Sequence, residues 1–145
     1  MAGVPDAGYS GTPQLKKLGI VGDVRLAVVG RPRGWEFAES LPAVVTVARG
    51  TAHPPVDVLL AFARDPEDLV PMATWGERVY PSGAIWVAWP RKAAGHVSDV
   101  NENLIRDEAL ALGLVDVKVA AIDTDWSGLK LVWRKELRGT SASGR

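Results

Sequence analysis

The chain has no cysteine, which excludes disulfides, thiolate metal sites and cysteine nucleophiles together. It has no excess of either charge: 17 Lys and Arg balance 17 Asp and Glu. No overall field therefore draws it to nucleic acid or a membrane surface, and neither is an expected partner. Any recognition of anions must come from local clustering. Long hydrophobic runs are also missing. No apolar stretch approaches the roughly 18–20 residues of a membrane span, and residues 1–20 contain nothing resembling a signal-peptide core, so a cytoplasmic location is the expectation. The two histidines, His53 and His96, stand far apart with no partners at metal-ligand spacing, and no metal is expected. Ser82, Ser98 and Ser127 sit in no Gly-x-Ser-x-Gly elbow, so nothing supports a serine triad.

What is present is an ordinary globular composition. At 145 residues, 47% hydrophobic and 23% charged, the chain is long enough for one domain with a single core. Residues 1–14 read as a flexible or strapping N-terminal arm, 15–136 as one α/β domain and 137–145 as a disordered tail. The most organised stretch is Ser82 to Gly113. There a Gly-led apolar strand over 83–89 stops at Pro90 and feeds, through Arg91-Lys92 and a small-residue loop, an amphipathic helix from about Asp99 to Leu112. Asp99 is its expected cap, and Val100, Leu104, Ile105, Ala109 and Leu112 form its buried stripe. Gly113 ends it.

Around this unit the pattern predicts a helical turn at 14–18 closed by Gly19, a strand at 24–30 and a short helix over 35–41 ended by Pro42. A brief strand at 44–47 and a strand at 56–62 follow. Asp65-Pro66-Glu67-Asp68 then starts a helix running to about Val79, kinked or split by Pro71. Two strands, 115–122 and 129–135, close the chain as a hairpin. Strands alternating with helices imply a three-layer Rossmann-like sheet of about six strands, mostly parallel with the last antiparallel. The seven residues 49–55 are few for a parallel crossover, so strand two is expected to be short or else antiparallel.

A Gly-led strand, a helix and a closing hairpin resemble the second half of a class I methyltransferase. The resemblance implies the sheet order 2-1-3-4-6-5, with one strand and its helices missing after residue 48. It also places Gly30-Arg31-Pro32-Arg33-Gly34 where that family has its Gly-rich cofactor loop. A second resemblance covers nearly the whole chain. Gly8-Tyr9-Ser10-Gly11-Thr12-Pro13, Lys17-Leu18-Gly19, Ala84-Ile85-Trp86-Val87, Trp89-Pro90, the segment Gly113 to Val119 and the segment Trp126 to Val132 are similar to a bacterial domain family that carries no assigned activity. That resemblance implies a small cytoplasmic α/β protein.

The residues depart from the methyltransferase pattern at three places. The central glycine of Gly-x-Gly-x-Gly is Pro32, which has no N–H and fills the space with its ring. The acid two positions before the first glycine is Val28. The acid that would hold the ribose hydroxyls is replaced by the run Val47-Ala48-Arg49-Gly50, and losing that acceptor alone costs about 1–3 kcal/mol. Ordinary S-adenosylmethionine binding is therefore not expected, and no cofactor is assigned.

Basic residues instead mark the sheet's carboxyl edge, the usual ligand crevice. Arg31 and Arg33 follow strand one, Arg64 follows strand three, and Arg91 and Lys92 follow strand four. With Gly30, Gly34 and Trp89 they form a candidate site for a small anion; the alternative is that they are solvated or paired with Asp65, Asp123 and Asp125. Tyr9, Ser10 and Thr12 belong to a segment that could fold over the crevice as a lid or strap the sheet edge. Trp126, in the hairpin turn, is the expected exposed aromatic and a candidate partner contact. The expected function is a binding or regulatory module for a small anionic ligand or a protein partner. The alternatives are an S-adenosylmethionine-dependent methyltransferase with an altered cofactor loop, and a structural protein that dimerises through its antiparallel edge and Trp126.

Overall fold

A computed structural model describes residues 11–49 and 53–138. Its strands are β1 (Arg25–Val29), β2 (Thr46–Val47), β3 (Val58–Phe62), β4 (Ala84–Pro90), β5 (Leu114–Ala121) and β6 (Trp126–Trp133). They form one sheet in the order β2-β1-β3-β4-β6-β5, the order the sequence implies. β1, β2, β3 and β4 run parallel, whereas β6 is antiparallel to β4 and β5. The short connection 48–57 is accommodated because β2 contributes only two residues, Thr46 and Val47, and pairs on the far side of β1 from β3.

β3 and β4 are apolar throughout because both their faces are covered. On one face α2 (Met72–Val79) and α3 (Glu102–Leu112) bury Met72, Trp75, Val79, Ile105 and Ala109 against Leu59, Ala61, Ile85, Val87, Leu129 and Leu131. On the other, α1 (Gln14–Leu18) brings Leu15, Leu18 and Ile20 onto Leu26, Leu60, Phe62, Trp86 and Ala88. Trp86 is fully buried there and donates Nε1–H to the Leu18 carbonyl at 3.0 Å. Trp89, three residues on, points to the opposite face and packs half-buried against the α2–α3 core.

Several local expectations are revised. Residues 35–41 form no helix, because their polar groups are used elsewhere. Both Glu39 carboxylate oxygens accept from the α1 backbone, from Gln14 N at 3.1 Å and Leu15 N at 2.9 Å. Ala38 N donates to the buried Gln14 Oε1 at 2.7 Å. Glu39 thus supplies the cap that α1, preceded by Pro13, has no side chain of its own to make. Pro71 splits the helix as expected, into a 3-10 turn at Pro66–Leu69 and α2. α3 is capped by Asn101, whose Oδ1 accepts from Leu104 N at 2.9 Å, and not by Asp99. Leu112, assigned to the buried stripe, is 38% exposed. The domain edges also extend: Gln14 belongs to α1, and Lys135–Leu137 form a 3-10 turn fastened by Arg138 Nε donating to the Trp133 carbonyl. The remaining tail, 139–145, lies outside the described residues.

β1 and β3 are tied at their entry by Asp57. Its carboxylate accepts from Arg25 N at 2.8 Å and from the Arg25 guanidinium at 3.4 and 3.5 Å. The bond from the Arg25 backbone is the main cause holding the Asp57 carboxyl below its ordinary value; partial burial opposes it and the Arg25 side chain assists. Because the folded pKa is depressed, the unfolded chain binds the extra proton. The contribution is therefore present above the unfolded value and lost as pH falls through the folded one. Urea titrations should show stability falling below about pH 4, and Asp57→Asn should flatten that part of the profile. An unchanged acid limb in Asp57→Asn would remove Asp57 as its source.

Candidate functional site

At the carboxyl ends of β1, β3 and β4 lie two adjoining cavities, of about 720 Å³ and about 290 Å³. The chain leaves β1 toward β2 on one side and reaches β4 on the other, so this is the sheet's switch point, where open α/β sheets bind ligands. The larger cavity is walled by the loop after β1, by the ends of β3 and β4, by residues 96–99 and by the turn before β6.

An aromatic floor sets the geometry. Phe62 meets Trp35 and Trp126 edge to face, each at a centroid distance of 4.9 Å. Phe37 extends the row through Trp35, again at 4.9 Å. Two guanidiniums lie on this floor: Arg31 Cζ is 5.8 Å from the Trp35 ring centroid and Arg64 Cζ 5.4 Å from that of Trp126. Such cation–π contacts are worth about 0.5–1 kcal/mol each at exposed sites. Arg31 is oriented further by Nε donating to the Trp35 carbonyl at 2.9 Å.

Hydrogen bonds stitch the walls together. Asp123 Oδ1 accepts from Asp125 N and Trp126 N, shaping the turn, while its Oδ2 accepts from Trp35 Nε1 at 2.8 Å. His96 Nε2 lies 3.0 Å from Asp125 Oδ1, joining the loop after β4 to that turn. Ser98 Oγ donates to the Arg64 carbonyl at 2.7 Å and accepts from Val100 N at 3.0 Å. Asp68 closes the smaller cavity, but its Oδ2 is already engaged by Arg64 N and Asp65 N.

Gly30, Arg31, Arg33 and Arg64 line the smaller cavity, and Arg33, Gly34 and Arg64 line the larger one. Gly30 is required for packing: with φ at +69°, a Cβ there would meet the Phe62 carbonyl oxygen at 2.8 Å. The same Cβ position at Gly34 meets nothing within 4 Å. Trp89 lines neither cavity. Arg91 turns toward the hairpin, its Nη1 donating to the Thr124 carbonyl at 3.3 Å, and Lys92 is exposed in a separate turn. Thr12 is exposed and lines neither cavity; Tyr9 and Ser10 lie outside the described residues.

Trp126 corrects the sequence expectation. It is 6% exposed, because it opens β6 and its ring fits between Phe62 and the Arg64 guanidinium. It is a wall of the cleft. Asp99, Ser98, Asp125 and His96 were not among the expected site residues. Asp99 enters the wall because Asn101 takes over the cap. The His96–Asp125 pair spans 29 residues, and no local pattern announces it. Among the described residues no group of three or more His, Asp or Glu could hold a metal, and no helix is long and apolar enough to cross a membrane.

No family model matches the chain, and no curated protein matches it. Solved structures do. The O-methyltransferase NcsB1 of neocarzinostatin biosynthesis, in complex with S-adenosylmethionine and 2-hydroxy-5-methyl naphthoic acid, matches 76% of this chain with TM-score 0.53 and 10% identity. The match covers 49% of that enzyme, so the chain spans about half its length. Aeropyrum pernix fibrillarin with natively bound S-adenosylmethionine matches 82% of this chain and 73% of its own, at 17% identity and TM-score 0.47. A Thermoplasma acidophilum protein described as a methyltransferase by resemblance matches 79% and 69%, at 10% identity and TM-score 0.47. At these identities the likeness concerns the fold alone. That fold is a class I methyltransferase-like Rossmann sheet.

Proposed function

We propose that this chain is a small methyltransferase-type domain that uses S-adenosylmethionine through an altered cofactor loop and methylates a small acceptor held in the cleft. One observation supports this above others: the cleft opens at the switch point of a methyltransferase-ordered sheet, where β1, β3 and β4 end. The family's usual mode of holding the cofactor does not fit. Pro32 has no N–H to offer, Gly30 is filled against Phe62, and β2 ends in Val47-Ala48-Arg49 with no acid. The larger cavity does offer suitable acceptors. Asp65 and Asp99 are exposed carboxylates for the ammonium and ribose hydroxyls, and Gly34 leaves the backbone open to approach.

When bound, the cofactor supplies an electrophilic methyl group. The chain's own contribution is to position the acceptor and to take its proton. A hydroxyl or amine acceptor must lose a proton as it is methylated. His96, held through Nε2 on Asp125 Oδ1, has Nδ1 to receive it at the rim of the cleft. Asp125 fixes the tautomer and stabilises the imidazolium that forms.

A second reading, a non-catalytic module for a small anion, is favoured by one specific observation. Arg31, Arg33 and Arg64 make no ion pair among the described residues. Calorimetry distinguishes the two. Titration with S-adenosylmethionine should give a dissociation constant of about 1 μM to 1 mM, the range of ordinary enzyme substrates. Absence of heat at millimolar cofactor, with no label passing from methyl-labelled cofactor to any small acceptor, would leave the anion-binding module standing.

A further inference from the structure

We infer that Arg31, Arg33 and Arg64 form an oxyanion subsite that takes a phosphoryl group carried by the ligand or acceptor. The three residues line one cavity of about 290 Å³ between the ends of β1 and β3. Like charges gathered at one cavity repel one another unless something offsets them. The offset is partial: among the described residues none of the three is in an ion pair, and one acid, Asp68, which accepts two backbone N–H bonds on Oδ2, faces three positive charges.

Two of the three arginines are also held in place. Arg31 rests on Trp35 and is fixed through Nε, while Arg64 rests on Trp126. Both rings belong to the edge-to-face row through Phe62. Stacking on an aromatic face holds a guanidinium without using its N–H donors, so the Arg31 Nη groups and the Arg64 guanidinium keep theirs for a ligand. A planar fork with two parallel donors matches phosphate oxygens, and little side-chain entropy remains to be lost on binding. Two held guanidiniums with Arg33 beside them suit a doubly charged phosphate better than a singly charged carboxylate. The composition of the two cavities separates their tasks. The smaller presents three arginines and one engaged acid, whereas the larger adds Asp65, Asp99 and Asp125. A phosphorylated small molecule would place its anionic end in the first and its remaining polar groups in the second. As a statement about the acceptor this rests on the methyl-transfer proposal, but the subsite itself does not.

The test is thermal unfolding with inorganic phosphate, against chloride and succinate at matched ionic strength. Phosphate at ten times its dissociation constant should raise the wild-type midpoint by about 3–6 °C, with succinate giving less. Arg33→Gln, whose guanidinium makes no hydrogen bond or ion pair among the described residues, and Arg64→Gln should each abolish most of that rise; Lys92→Gln, outside both cavities, should keep it. No phosphate-specific rise in the wild type, or an equal loss in Lys92→Gln, would overturn the subsite. A rise with succinate equal to that with phosphate would overturn the phosphoryl assignment. Repeating the series with S-adenosylmethionine separates the two proposals: phosphate stabilisation without cofactor binding preserves the subsite and removes methyl transfer, and the reverse does the opposite.

Discussion

Replacing Trp86 by alanine should cost about 3–5 kcal/mol, the range for truncating a large buried aromatic, out of a total that rarely exceeds about 15 kcal/mol. The indole is fully buried and lies at the centre of the sheet. It supports two elements at once. Its Nε1 satisfies the Leu18 carbonyl at the end of α1, and its ring lies against Gly128 of β6, where even a Cβ would come within 3.1 Å. Truncation therefore leaves a cavity and also an orphaned carbonyl beneath α1. Trp86→Phe keeps most of the packing and loses the hydrogen bond, so it should cost clearly less. Denaturant titrations of the two variants check this. A Trp86→Ala variant within 1 kcal/mol of wild type would contradict the burial described here.

The second large effect concerns the chemistry. His96→Ala should slow methyl transfer by about 10²–10⁴-fold, the usual contribution of a positioned general base. Cofactor affinity should change little, because His96 stands at the rim on the side of Asp125. Asp125→Asn should give a smaller loss, since it leaves the imidazole in place but removes the carboxylate that fixes its tautomer and orientation. Neither side chain is buried, at 43% and 60% exposed, so both variants should fold. A His96→Ala enzyme with wild-type turnover would remove the dyad from the mechanism and leave the cleft as a binding site.

The sheet was legible because its signals are local. The apolar runs of β3 and β4, the acid–proline start before α2, the glycine after α3 and the short turn before β6 each constrain their neighbours through backbone preference alone. The order of strands followed from these and from the methyltransferase resemblance. What was not legible depends on contacts distant in sequence. Residues 35–41 have helix-compatible composition, yet Glu39 and Ala38 are bonded to Gln14 some 25 positions away. Trp126 occupies a turn position that usually points to water, yet the Phe62 ring buries it. Of the five basic residues read as one site, three converge. Arg91 diverges because the proline-ended strand turns it toward the hairpin, where the Asp125 carbonyl accepts from Arg91 N at 2.8 Å, and Lys92 stands exposed in the turn that follows. The acids of the larger cavity and the His96–Asp125 pair appear only when loops after β3, β4 and β5 are brought to one edge.

The central claim is that S-adenosylmethionine enters this cleft, and the six tryptophans offer a direct measurement of it. Each contributes one indole N–H signal to a nitrogen-15 correlation spectrum. Trp35 and Trp126 line the cleft, whereas Trp75, Trp86 and Trp133 line neither cavity. Titration with the cofactor should move the Trp35 and Trp126 indole signals along a saturating curve and leave those of Trp75, Trp86 and Trp133 in place. A spectrum unchanged at millimolar cofactor, or one in which the remote indoles move and the cleft pair does not, would contradict the account.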